Sequence, residues 1–126
     1  MKKLTKEFIK QLLSEINKHY ICYYEEAEKN AKFPYLVIPS LHIVPLNAGH
    51  SCIVDIEINN NEMSKVLTED IIDNLNSKLN GFTFINEKIG FHLNESSIDI
   101  IKASDQDLIN RRISFDARIF QTKMGG

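Results

Sequence analysis

The sequence predicts a single α+β domain spanning residues 1–126, a mostly antiparallel, mixed sheet with two main amphipathic helices packed on one face. Three observations predict it. Apolar residues recur at steps of three and four at Leu4, Phe8, Ile9, Leu12, Leu13 and Ile16, and again at Met63, Val66, Leu67, Ile71, Leu75 and Leu79, the spacing of a helix with one buried stripe. Between and after them lie runs with the period of a strand, Cys52 to Ile58 and Ile113 to Phe120. With 126 residues, there is room for one core and not for two.

Taken in order, Leu4 to Ile16 is the first helix, and Lys6, Glu7, Lys10, Gln11, Ser14 and Glu15 fill its solvated face. The lysines at 2, 3, 6 and 10 are interrupted by Glu7 and Glu15 and read as solvated surface. From His19 the period changes, and Tyr20, Cys22 and Tyr24 predict a short strand. Glu25 to Asn30 is a polar connector; its three glutamates lack the spacing of a cation loop. Tyr35 to Ile38, bracketed by Pro34 and Pro39, predicts a strand that pairs antiparallel with Cys52 to Ile58 across a turn-rich stretch from Leu41 to Gly49. In the second of these strands Cys52, Val54, Ile56 and Ile58 face the core, and Asp55 and Glu57 face outward. Asn59-Asn60-Asn61 is expected to turn the chain into the second helix, with Asn61 or Ser64 capping its start, Glu69 and Asp70 early in it, Lys78 late, and Asn80-Gly81 supplying a left-handed stop. Phe82 to Phe84, Ile89 to Leu93 and Ser97 to Ile101 are expected as three short strands, with a turn at Asn94 to Ser96 before the third. Lys102 to Gln106 reads as a polar loop that Asp105 to Asp107 lead out of. Arg111 and Arg112 stand at the entrance of the last strand, whose Ile113, Phe115, Ala117 and Ile119 point inward and whose Ser114, Asp116 and Arg118 point outward. Gln121 to Gly126 carries no pattern and is expected to fray. Leu12, Ile16, Val54, Ile56, Ile71, Leu75, Phe115 and Ile119 are expected to be buried together.

Composition excludes more than it assigns. A formal net charge of -2 provides no global attraction to nucleic acid or anionic membrane, and no apolar stretch approaches the roughly 18 residues of a membrane span. Cys22 and Cys52 lack paired spacing and sit in strand-like runs, so they read as small buried hydrophobes in a reducing, cytoplasmic setting. His42, His50 and Cys52 can be imagined as zinc ligands across the hairpin, but a structural site takes four ligands, usually in CxxC or HxxxH clips. A cysteine with any of the histidines lacks a turn or local signature to position a nucleophile. Arg111 and Arg112 without a glycine-rich loop or aromatic platform read as ion-paired strand residues rather than a phosphate site. No catalytic residue, cofactor site or metal site is assigned.

The order of elements, with Tyr23-Tyr24-Glu25-Glu26-Ala27, Phe33-Pro34-Tyr35 and Arg111-Arg112-Ile113-Ser114-Phe115 as its sharpest residues, resembles the small tail-terminator (tail-completion) proteins of long-tailed bacteriophages and phage-tail-like particles. The resemblance covers nearly the whole chain. It implies a non-enzymatic structural protein that forms a homo-oligomeric, hexameric ring, caps the tail tube protein and offers a surface to neck or head-completion proteins and to a contractile sheath. It also implies a place in a virion or tail-like bacteriocin assembled in the bacterial cytoplasm. The polar faces of the two best strands and the arginine pair, Asp55, Glu57, Arg111, Arg112, Asp116 and Arg118, are the expected subunit or partner interface. The segment from Ile85 to Ser97 is where such families vary. Competing readings are a neck or head-completion protein, a small ligand-binding or regulatory α+β domain, and a small hydrolase using His42, His50 and a carboxylate.

Overall fold

A computed structural model of the protein describes residues 2–61, 65–101 and 108–122, with side chains over 3–60, 67–94 and 111–122. The chain runs α1 (Lys2–Ile16), β1 (Cys22–Tyr24), β2 (Tyr35–Ile38), β3 (Val44–Pro45), β4 (His50–Asn61), α2 (Lys65–Leu79), β5 (Thr83–Ile85), β6 (Ile89–Ile101) and β7 (Leu108–Gln121). The strands form one mixed sheet in the order β1-β2-β4-β7-β6-β5, with β3 paired to β4. Only β1 and β2 are parallel; β2–β4, β4–β7, β7–β6 and β6–β5 are antiparallel.

The alternation in β4 and β7 decides which face the helices cover. Cys52, Val54, Ile56 and Ile58 are at most 2% exposed, and Ile113, Phe115, Ala117 and Ile119 at most 1%. They join Leu4, Phe8, Leu12 and Ile16 of α1 and Ile71, Ile72, Leu75 and Leu79 of α2 in one core. All eight residues expected to be buried together are in it. At its centre the Phe8 ring meets Phe91 of β6 edge-on, centroids 4.9 Å apart, and Phe84 stacks on the same ring at 5.3 Å. The helix α2 ends as its sequence predicts. Gly81 has a φ of 83°, which a residue with a Cβ rarely adopts, and its N–H reaches the Leu93 carbonyl at 2.7 Å, tying the helix end to β6.

Four expectations change. The polar Asn59-Asn60-Asn61 does not turn the chain: it continues β4 against β7 as far as the pair Asn61–Leu108. Asn60 is 1% exposed because its amide Nδ2 donates to Thr68 Oγ1 of α2 at 2.8 Å, so a polar residue serves as a strand-to-helix tie. Asn61 therefore lies in the strand rather than capping α2, while Met63 and Ser64 lie outside the described residues. The turn expected at Asn94 to Ser96 is instead a bulge between Glu95 and Ser97 within a continuous β6, because an unbroken β7 supplies partners on both sides of the irregularity. β7 begins at Leu108, so Arg111 and Arg112 are inside it, and it includes Gln121. The turn-rich stretch before β4 also holds a strand, the two-residue β3. The loop expected at Lys102 to Gln106 and the end of the chain after Thr122 lie outside the described residues.

Candidate functional site: the open sheet face

With both helices on one side, strand period dictates what the other side shows. The outward positions are Ile53, Asp55 and Glu57 on β4 and Arg112, Ser114, Asp116, Arg118 and Phe120 on β7. In register, Ile53 stands opposite Asp116, Asp55 opposite Ser114, Glu57 opposite Arg112, and Ser51 opposite Arg118. Next to them on β6 come Gly90, His92 and Asn94, opposite Phe120, Arg118 and Asp116.

Five of the six expected interface residues are thus brought onto one face: Asp55, Glu57, Arg112, Asp116 and Arg118. Arg111 is not among them. One residue out of phase with Arg112, it falls on the helix side opposite Ile58, and its Nη1 donates to Glu69 Oε1 of α2. This follows from the strand starting earlier than expected: two adjacent residues within a strand cannot share a face. Its side chain is 17% exposed, and its Nε is buried without a partner among the described residues.

Local geometry on the open face differs from site to site. The Ser114 hydroxyl donates to Asp55 Oδ1 at 2.5 Å, and Ser114 is only 5% exposed although it faces away from the helices. Arg118 Nε lies 4.0 Å from Asp116 Oδ2 with both side chains well exposed, a pair that contributes little to folding and remains available to a partner. Apolar groups are exposed beside these charges: Ile53 at 50%, Phe120 at 40% and, on β5, Ile85 at 66%. The Phe120 ring lies over Gly90 so closely that a Cβ there would fall 2.3 Å from it, which is why this position on β6 has no side chain. At the other end of the sheet Phe33 stacks on Tyr35, centroids 5.6 Å apart, Tyr23 meets Tyr35 edge-on at 5.9 Å, and the Tyr23 hydroxyl donates to Glu28.

The two sheet edges differ. On β1, the Asn17 side chain takes the place of a neighbouring strand: its Oδ1 accepts from the Cys22 N–H at 3.1 Å and its Nδ2 donates to the Cys22 carbonyl at 3.2 Å. The Tyr24 carbonyl accepts from the N–H of Glu26. Nothing comparable occupies the free edge of β5 among the described residues. Sequence reading identified the strand at Phe82 to Phe84 but not its edge position, since neither pairing order nor a side-chain cap leaves a periodic trace.

Neither cysteine thiol is primed as a nucleophile. Burial pushes the Cys22 thiol up to about 12 and the Cys52 thiol up to about 11, the latter against a weak opposing hydrogen bond from the His42 backbone. Such thiols are protonated and unreactive near neutral pH. No three His, Cys, Asp or Glu side chains among the described residues converge to hold a metal ion. An open cleft of about 600 Å³ lies between the start of α1 and the β5–β6 turn, where Lys3, Lys6 and Lys88 mix with Glu7 and Glu87. There the hydrogen bond from the Gln11 amide holds the Glu7 carboxyl below its ordinary value, against an opposing effect of desolvation and with lesser help from Lys88 and Lys10. No described helix is long and apolar enough to cross a membrane. Protein-family models and curated proteins yield no match to the chain.

Proposed function

We propose that the protein is a non-enzymatic, ring-forming tail terminator, which caps the tail tube of a phage or phage-tail-like particle through contacts made on its open sheet face. The observation that carries this reading is the face opposite the helices, where Asp55, Glu57, Arg112, Asp116 and Arg118 place charges of both signs beside exposed Ile53 and Phe120. Interspersed charges of both signs around apolar groups suit a contact between identical subunits in which one patch meets a different patch of the next copy. The resemblance in Phe33-Pro34-Tyr35 and Arg111 to Phe115 supplies the biological setting. In this setting the partners are further copies of the chain, most simply six, the tail tube protein, and neck or sheath proteins.

Light scattering coupled to size exclusion tests the assembly. The ring reading expects a mass several times that of the chain, alone or with tube protein, reduced by Arg118→Glu with an unchanged circular dichroism spectrum. In particles carrying Arg118→Glu, tails of irregular length by electron microscopy are expected. A monomer under all conditions, together with uniform tails from the variant, overturns the reading.

A further inference from the structure

We propose that Tyr23, Phe33 and Tyr35, with the Glu28 carboxylate at their rim, form a docking site for an arginine side chain presented by another polypeptide chain. Strand register puts the rings on the side of the sheet away from the helices. Leu36 pairs with buried Ile58, so Tyr35 and Val37 on either side of it point the other way, and Tyr23 stands beside Val37 on β1. Phe33 lies nearly parallel to Tyr35, with 15° between the planes, so that ring covers one of its faces, and an exposure of 41% leaves the other to solvent. Tyr23 meets Tyr35 at 75°, which makes a corner of two rings.

The Tyr23 hydroxyl donates to Glu28 Oε1 at 3.1 Å and thereby fixes a carboxylate at the ring edge. Glu28 is exposed and forms no ion pair among the described residues, so its charge is not neutralised within the chain. The loop that carries it is fastened at two places: Glu25 N–H bonds the Ile38 carbonyl at 2.7 Å, and Ala31 N–H bonds the Glu28 carbonyl at 3.0 Å. A ligand that meets a site already in place has little ordering to offset.

The chemistry of the rings and the carboxylate selects the ligand. Aromatic faces carry negative potential and attract a cation, and Glu28 adds to that attraction while repelling an anion. In the same loop Glu25, Glu26 and Glu28 outnumber Lys29 and Lys32. Among cations the guanidinium is planar, so it stacks on a ring while its in-plane N–H groups donate to a carboxylate at the rim; an ammonium is compact, strongly hydrated and has no flat face. An arginine within a polypeptide brings no carboxylate of its own, whereas the free amino acid carries one into an acidic loop.

The full-length protein, isotopically labelled, is titrated with acetyl-Gly-Arg-Gly-amide, with the same peptide carrying lysine or citrulline, and with free arginine. Saturable shifts at the rings of Tyr23 and Tyr35 and at the Glu28 and Phe33 amides are expected with the arginine peptide. They should be weaker with lysine and absent with citrulline, which keeps the shape and loses the charge. Glu28→Gln retains an acceptor for the Tyr23 hydroxyl without the charge, and Phe33→Leu retains an apolar cover without the ring; each should weaken binding with an unchanged circular dichroism spectrum. No shift with the arginine peptide, equal shifts with lysine or citrulline, or binding indifferent to both substitutions overturns the proposal. So does tighter binding of free arginine than of the peptide, since the ligand would then be the amino acid itself. The titration needs neither a ring nor a tail tube, so its failure leaves the proposed function standing.

Discussion

Arg111 and Arg112 carry the same charge on consecutive residues and perform different work. Arg111 lies against α2 with its aliphatic stem covered and its guanidinium on Glu69, while Arg112 is half-buried on the opposite face across from Glu57. Arg111→Glu puts two carboxylates together at the strand–helix contact and leaves neither paired. We expect it to lower the denaturation midpoint clearly, by the equivalent of about 1 to 3 kcal/mol for a charged hydrogen bond lost in a covered site. Arg112→Glu sets two glutamates opposite each other on the open face and is expected to cost less, about 0.2 to 1 kcal/mol. Equal midpoints for the two variants in urea would contradict the assignment of faces. The buried thiols offer a second measurement at this scale. Both are raised above the ordinary value of 9.0, so the folded state favours the protonated form. Their contribution to stability is complete below about pH 9 and declines as pH rises towards 11 and 12, where the unfolded chain gains from ionising first. Replacing both with alanine should flatten the alkaline limb of a stability–pH curve, and a curve of unchanged shape would discount burial as the cause.

Elements with a strong period were legible from the sequence, and those held by pairing were not. Leu4 to Ile16, Cys52 to Ile58 and Ile113 to Ile119 show one face apolar at every turn or pleat, and each buries that face. Ile56→Ala and Phe115→Ala, both at 0% exposure in the middle of paired strands, should cost about 2 to 5 kcal/mol each by emptying space that neighbouring rings cannot fill. Retention of the parent's urea midpoint by both would rule out this core. By contrast, Asn59 to Asn61 and Asn94 to Ser96 are composed of turn formers, and local propensity alone breaks the strand at both places. Their strands instead find partners in β7, distant in the chain: Asn61 pairs with Leu108, 47 residues on, and Asn94 with Asp116, 22 residues on. That competition between local preference and distant pairing is not written in either segment. The position of Arg111 was misjudged for the same reason: with the strand taken to begin at Ile113, nothing assigned the two arginines to alternate faces.

At the scale of the whole molecule, the sheet has one open face, and its β1 edge is capped at Cys22 by a single side chain. In the terms of polymer chemistry, an unpaired strand edge is a functional group, and a side chain bonded across it is a protecting group. Asn17 plays that part at β1. Asn17→Ala withdraws both hydrogen bonds to Cys22 and deprotects that edge. The variant is expected to associate more readily on concentration than the parent, with rising light scattering and a dye response typical of stacked strands; equal scattering from the two would discount the cap. One asparagine after the first helix thus lowers by one the number of places at which the sheet can be extended.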